Sequence, residues 1–275
     1  MQTSPRVALV TGASSGIGEA TALRLLRAGF VVYGVARRVD RMQGLADQGV
    51  HVFGMDLTDE ASMTAGIERI VAEQGRLDVL VNNAGYGAYG AVEEVAIDEA
   101  RRQFEVNLFG LARLTQLAIP VMREQGSGRI INISSIGAVI YEPFGAWYHA
   151  TKFAVDGFSD SLRVEVRRFG IDVVLVRPGT IRTEWNEIAR TSLVETSAAG
   201  PYARSARKAA RTLEFFDRPA FSSGPDSVAR AVESAATARR PRTRYAAGRG
   251  GILMPATRRL LPDRVFDAVI GRLFV

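Results

Sequence analysis

Tyr148 and Lys152, in the stretch YHATK, stand four residues apart. On a helix that spacing puts a phenol and an ammonium on one face, and a nearby cation favours the phenolate and lowers the tyrosine pKa. A free phenol titrates near ~10, so a tyrosine that exchanges protons near neutral pH needs such help. The lysine is also rare, because the chain holds 33 arginines and only two lysines, Lys152 and Lys208. A compact ammonium with rotatable donors differs from a planar guanidinium, and its use here marks a position that calls for one. Taken alone, the pair also fits an ordinary contact on a helix surface.

Ser135 lies thirteen residues before Tyr148, just past the strand-like run GRIINIS at 128–134. The carboxyl ends of strands are where ligands bind in open α/β sheets, and a hydroxyl there can hold an oxygen on which charge develops. Ser134 is its neighbour; side chains alternate along a strand, so one of the two faces the site. Asn107, within the helical run RRQFEVNLFGLARL, reads by itself as a helix-interior asparagine facing solvent or bonding back to its own turn. His149 follows Tyr148 directly, and a helix turns it about 100° away, so no catalytic role is expected of it.

TGASSGIG at 11–18 follows one strand-like run and opens a helix. Gly12, Gly16 and Gly18 permit a tight turn and close backbone approach, while the helix start (Ser14, Ser15, Ile17) offers free N–H groups and a positive dipole end to a pyrophosphate. The same residues read G-x-S-x-G, the nucleophile elbow of a serine hydrolase with Ser14 as nucleophile. That chemistry needs a histidine late in the chain, and His149 lies inside a helical segment instead. At the end of the second strand, where an acid would bond the ribose 2′-hydroxyl of NAD, stand Arg37 and Arg38. Two guanidiniums suit a 2′-phosphate, so NADP(H) is preferred, with NAD(H) still possible. Two exposed arginines in a loop would look the same.

These residues need a frame. Apolar runs at 7–10, 30–36, 50–56, 77–83, 128–134 and 171–179 alternate with helical segments, and TRYAAG at 243–248 is a last candidate strand. Near-continuous apolar strands between helices predict an α/β fold: a doubly wound parallel sheet with helices on both faces, Rossmann-type, in a single domain over 1–275. The rhythm breaks after Gly179, so 184–225 is read as a variable insertion that can act as a substrate lid, and 251–275 as a C-terminal tail. Val265, Phe266, Val269, Ile270, Leu273 and Phe274 form one stripe of that tail, expected to dock on its own domain or a partner subunit, with peripheral membrane attachment the alternative.

With TGASSGIG, Asp56-Leu57, NNAG at 82–85, Asn107, ISS at 133–135, YHATK and PGTIRT at 178–183 in order, the chain resembles the short-chain dehydrogenase/reductase family in its compact form. The resemblance implies hydride transfer between a nicotinamide and a carbonyl or alcohol carbon. It assigns Tyr148 as proton donor or acceptor, Lys152 as its partner and a ribose ligand, Ser135 as holder of the substrate oxygen, and Asn107 as the fourth catalytic residue, in a water relay to the lysine. It puts Asp56 and Leu57 near the adenine, Asn83, Ala84 and Gly85 along the adenosine ribose, and Pro178, Gly179, Ile181 and Thr183 at the nicotinamide carboxamide. Family members commonly form homodimers or homotetramers.

Phe144, Trp147, Trp185, Phe215, Phe216 and Phe221 near these segments suit a small lipophilic substrate, and with the double arginine the pattern resembles the family's steroid, retinoid and acyl-ketone reductases. The absence of cysteine and the presence of two histidines argue against a metal site. The formal charge of +6 is concentrated after residue 200, yet no nucleic-acid motif accompanies it, and none is expected to bind. No leader or spanning segment is read, which predicts a cytoplasmic protein. The expected function is NADP(H)-dependent carbonyl reduction or its reverse; a non-catalytic NADP(H)-binding regulator and the Ser14 hydrolase are the alternatives.

Overall fold

A computed structural model describes residues 5–275 of the chain. Seven strands form one sheet: β1 (Val7–Thr11), β2 (Val31–Ala36), β3 (His51–Gly54), β4 (Val79–Asn82), β5 (Gly128–Ile133), β6 (Ile171–Pro178) and β7 (Arg244–Ala247). All neighbours are parallel, in the order β3-β2-β1-β4-β5-β6-β7. Every strand-like run of the sequence is a strand. The order reverses between β1 and β4, which opens a crevice at their carboxyl ends.

The helices are α1 (Gly16–Arg27), α2 (Gln43–Ala46), α3 (Glu60–Gln74), α4 (Ile97–Phe104), α5 (Leu111–Glu124), α6 (Ala146–Val166), α7 (Glu184–Ser197), α8 (Ala203–Asp217), α9 (Asp226–Thr237), α10 (Leu253–Leu260) and α11 (Asp263–Phe274). Side-chain alternation in β1 divides the core. Ala8 and Val10 face α1 and α9 through Ala22, Leu25, Val228 and Val232. Val7 and Leu9 face α3, α5 and α6 through Ile67, Leu114, Met122 and Leu162. Both sheet faces are covered, so the strands carry apolar residues at nearly every position.

Three departures from regularity concern the site. Glu105–Gly110 forms a π-turn between α4 and α5, a widening often found at functional sites, and Asn107 lies in it. The lid region is two packed helices, α7 and α8, more regular than its sequence suggested. The tail docks on its own domain, but its apolar stripe divides: Phe266 and Phe274 are buried, while Val265, Val269 and Leu273 are each more than 40% exposed. Among the described residues no helix is long and apolar enough to cross a membrane.

Candidate active site

The glycine corner is built as the spacing predicted. Gly12 and Gly16 have φ of +67° and +59°, values that L-residues with a Cβ rarely adopt. A Cβ on Gly12 would lie 2.9 Å from the Ala84 backbone, and one on Gly16 3.1 Å from the Thr183 methyl. Ser15 is the N-cap of α1 yet makes no side-chain cap bond, and Ser14 and Ile17 are partly buried beside it. Thr11 and Asn83 lock the corner from below. Thr11 Oγ1 accepts from the Asn83 and Ala84 amides, both at 3.0 Å, and Asn83 Nδ2 donates to the Thr11 carbonyl at 2.9 Å. Asn83 thus holds the loop through its side chain. The corner is a cradle of free N–H groups with no room for a side chain, which fits a dinucleotide pyrophosphate.

Arg37 and Arg38 are exposed at the end of β2. Arg38 lies 3.9 Å from Glu184, and Arg41, missed in the sequence, donates to the same carboxylate at 3.0 Å. Glu184 opens α7, so the lid touches the region expected to meet a 2′-phosphate. Asp56 Oδ1 accepts from the Thr58 amide and hydroxyl at 3.0 and 2.9 Å, which fixes the loop after β3. Leu57 is buried. Ile181 packs its side chain into the core under α9, so only its backbone is free to face a ligand; its carbonyl already accepts from Asn186 at 2.9 Å. Pro178 ends β6, and Gly179 donates its N–H to the Ala247 carbonyl at 2.8 Å.

At the carboxyl end of β5 the serines separate. Ser134 is 3% exposed and donates to Asp156 at 2.6 Å, which itself accepts from Arg177 at 2.9 Å. Ser135 turns the other way, toward Tyr148, and accepts from the Gly137 amide at 2.9 Å. Of the two, Ser134 is engaged with Asp156 and Ser135 is not.

Tyr148 and Lys152 share one face of α6 and are both buried. Lys152 Nζ donates to the Ile133 carbonyl at 3.0 Å and stands 5.9 Å from the centre of the Tyr148 ring. Burial pushes the Tyr148 phenol well above its usual range, and Ser135 opposes this in part. Burial also moves Lys152 down to about 8, with Asp156 pulling the other way. Desolvation is the largest cause of both shifts.

Asn107 is neither solvent-facing nor bonded to its own turn. Its Oδ1 accepts from the Tyr86 amide at 3.0 Å, and its Nδ2 donates to the Tyr86 carbonyl at 2.8 Å and to Thr151 at 3.2 Å. It clamps the loop after β4 to α6. A Cβ on Gly85 would lie 3.0 Å from Asn107 Oδ1 and 3.9 Å from Lys152 Nζ, so Gly85 lets these three meet.

Above Tyr148 lies an apolar cluster: Tyr89, Phe144, Ala189, Leu193 and Phe274, with Trp185 and Leu213 against it. The Tyr89 and Trp185 rings stand 6.0 and 4.8 Å from the Tyr148 ring. Phe144 has φ of +70°, a strained value for an aromatic residue, and its side chain is buried in this cluster. Trp147 is on α6 outside it, and Phe215 and Phe221 stack on each other at the exposed end of α8, with Phe216 beside them. Tyr89 was not foreseen; its only signal was its closeness to NNAG. The hydrolase reading has no support, since His149 bonds Gly137 and Glu142 and His51 stacks on Tyr33. Among the described residues no cluster could hold a metal ion.

The family profile for short chain dehydrogenases matches residues 6–193. The chain is similar to a 3-ketodihydrosphingosine reductase of Bacteroides thetaiotaomicron, 39% identical over 78% of each chain. It is also similar to an NADPH-dependent 3-dehydrocapnine reductase of Ornithobacterium rhinotracheale, 32% identical over 96% of this chain and 95% of the other. Among solved structures it matches a short-chain dehydrogenase of Streptomyces avermitilis with a TM-score of 0.78, 32% identity and coverage of 98% and 97%. A Burkholderia phymatum member solved with NAD matches with a TM-score of 0.79, 25% identity and coverage of 100% and 98%. The chain belongs to the short-chain dehydrogenase/reductase family. It is an oxidoreductase of that family, on a fold that binds NAD(P).

Proposed function

We propose that this enzyme uses NADPH to reduce the carbonyl of a lipophilic ketone, and runs the reverse reaction when alcohol and NADP+ are supplied. The observation that carries the reading is the convergence of Ser135, Tyr148 and Lys152 beneath an apolar cluster, at the end of β5, two strands from the glycine cradle at β1. Bound NADPH supplies the hydride. Gly12, Gly16, Gly18, Ser14 and Ser15 would hold its pyrophosphate. Arg37, Arg38 and Arg41 favour a 2′-phosphate, with Asp56 and Asn83–Gly85 along the adenosine and Pro178–Thr183 at the carboxamide.

Ser135 donates its hydroxyl hydrogen to the ketone oxygen and orients it. Tyr148, which burial keeps protonated, gives that oxygen a proton as it becomes a hydroxyl. Lys152, charged below about 8, meets the cofactor ribose and returns a proton toward Tyr148, with Asn107 holding the loop behind it. The cluster around Trp185 excludes water and takes the apolar body of the substrate.

The lipid character is supported by the name of the Bacteroides relative, a reductase of a keto group on a sphingoid lipid, and NADPH by that of the Ornithobacterium relative. The test is to follow NADPH oxidation with a panel of long-chain and cyclic ketones, for wild type and Tyr148→Phe. Turnover of a lipophilic ketone that the variant loses by on the order of a thousandfold supports the reading. Cofactor binding without turnover across the panel favours a regulator instead.

A further inference from the structure

His149 is one of two histidines in the chain and the proposed mechanism does not use it. Its side chain is 6% exposed and fills a slot between two glycines. A Cβ on Gly137 would lie 3.1 Å from Nδ1, and one on Gly145 3.0 Å from Nε2. Nδ1 donates to the Gly137 carbonyl at 2.9 Å, and Nε2 accepts from the Glu142 amide at 3.2 Å and lies 3.3 Å from its carboxylate. The other Glu142 oxygen accepts from the Tyr89 hydroxyl at 2.7 Å.

Both ends of this chain of bonds reach the reaction site. Gly137, whose carbonyl meets His149, donates its N–H to Ser135 Oγ. A hydroxyl has one hydrogen to give, and an Oγ that accepts from a backbone amide keeps that hydrogen for another partner. Tyr89, held by Glu142, has its ring against that of Tyr148.

We propose that His149 and Glu142 are positioning residues: His149 fixes Gly137 so that Ser135 presents its hydrogen to the substrate oxygen, and Glu142 fixes Tyr89 beside Tyr148. The kinetic part of this rests on the carbonyl reduction proposed above. The bond from the Glu142 amide to Nε2 belongs to the neutral ring, and the carboxylate 3.3 Å from the same nitrogen favours its protonation. Burial alone would lower the His149 pKa, but the Glu142 carboxylate and the Gly137 carbonyl outweigh it and hold it above its ordinary value. Burial would raise Glu142, and His149 with the Tyr89 hydroxyl holds it below. Tyr148, whose ring centre is 5.7 Å from that of His149, feels the Glu142 charge, which raises its pKa further; the His149 proton offsets that charge.

The experiment has two arms. Imidazole NMR on the cofactor-free protein gives two histidine signals, assigned with His51→Gln. His149 is expected to titrate above the ordinary value of about 6.5 and to fall by about one unit or more in Glu142→Gln, an isosteric variant. In the kinetic arm, on a ketone that the wild type reduces, His149→Leu is expected to lose kcat on the order of tenfold with an unchanged KM for NADPH. His149→Asn, whose amide nitrogen can occupy the Nδ1 position, should recover most of that loss. Equal kcat in the Leu variant and wild type, equal loss in the Leu and Asn variants, or a His149 that titrates at or below its ordinary value overturns the proposal. Should no ketone be turned over, the functional reading fails by itself, and the NMR arm still decides whether His149 is bound to Glu142.

Discussion

Trp185, the second residue of α7, lies with its ring centre 4.8 Å from that of Tyr148 and inclined at 53°. A Cβ on Gly87 would meet its indole at 2.5 Å, so the loop after β4 is cut back to admit it. One residue of α7 therefore touches both Tyr148 and the loop after β4. Trp185→Ala is expected to raise kcat/KM for bulky, branched ketones relative to linear ones and to cost roughly 2 kcal/mol of stability. Parallel rates on a linear and a branched ketone, with thermal melts, read both effects.

The two serines make opposite predictions. Ser135→Ala should lower kcat on the order of a hundredfold with little change in melting temperature, because it removes a donor to the developing charge. Ser134→Ala should keep the chemistry and lose about 1–2 kcal/mol, since buried Asp156 loses a partner. A reversal of the two outcomes would show that the wrong hydroxyl has been assigned.

Lys152 carries a sign that is easily mistaken. Its folded pKa of about 8 lies below the unfolded value of 10.5, so the unfolded chain binds the extra proton between those limits. The charged lysine is thus a burden on stability below about 8, relieved as pH rises toward 10.5. Lys152→Met is expected to be inactive but more stable at neutral pH, by on the order of 1–3 kcal/mol. In wild type, turnover should fall as pH rises through about 8. Denaturant melts and a pH–rate profile measure these.

Glu184 bonds Arg41 and lies near Arg38, where a 2′-phosphate is expected to sit. Arg38→Ala should raise the KM for NADPH about tenfold and leave that for NADH nearly unchanged. Glu184→Gln removes a competing anion and should lower the KM for NADPH. Equal effects on both cofactors would place the phosphate elsewhere.

The sheet was readable because strands buried on both faces must be apolar throughout, and the glycine corner because its geometry excludes side chains at Gly12 and Gly16. Ser135 and Tyr148 were readable from motif order. What the sequence hid depends on burial and on long-range pairing. The shift of Lys152 follows from desolvation that no local pattern reports. The bonds between Arg41 and Glu184, 143 residues apart, exist only once α7 folds back over β2. His149 was set aside on helical geometry, yet its ring stands edge-on to that of Tyr148 at 5.7 Å; its partners, Glu142 and Gly137, lie on an irregular segment without period. The division of the tail stripe in α11 arises because α8 covers Phe274 and the segment after β5 covers Phe266, leaving the other side open.

The central claim is hydride transfer from the nicotinamide to a ketone carbon. The direct measurement is mass spectrometry of the alcohol formed from a long-chain ketone and NADPH carrying deuterium at the transferred position of nicotinamide C4. The account predicts one deuterium on the carbinol carbon with wild type, and loss of that product with Tyr148→Phe. An alcohol without deuterium when each C4 position is labelled in turn, or undiminished product from the variant, would contradict it.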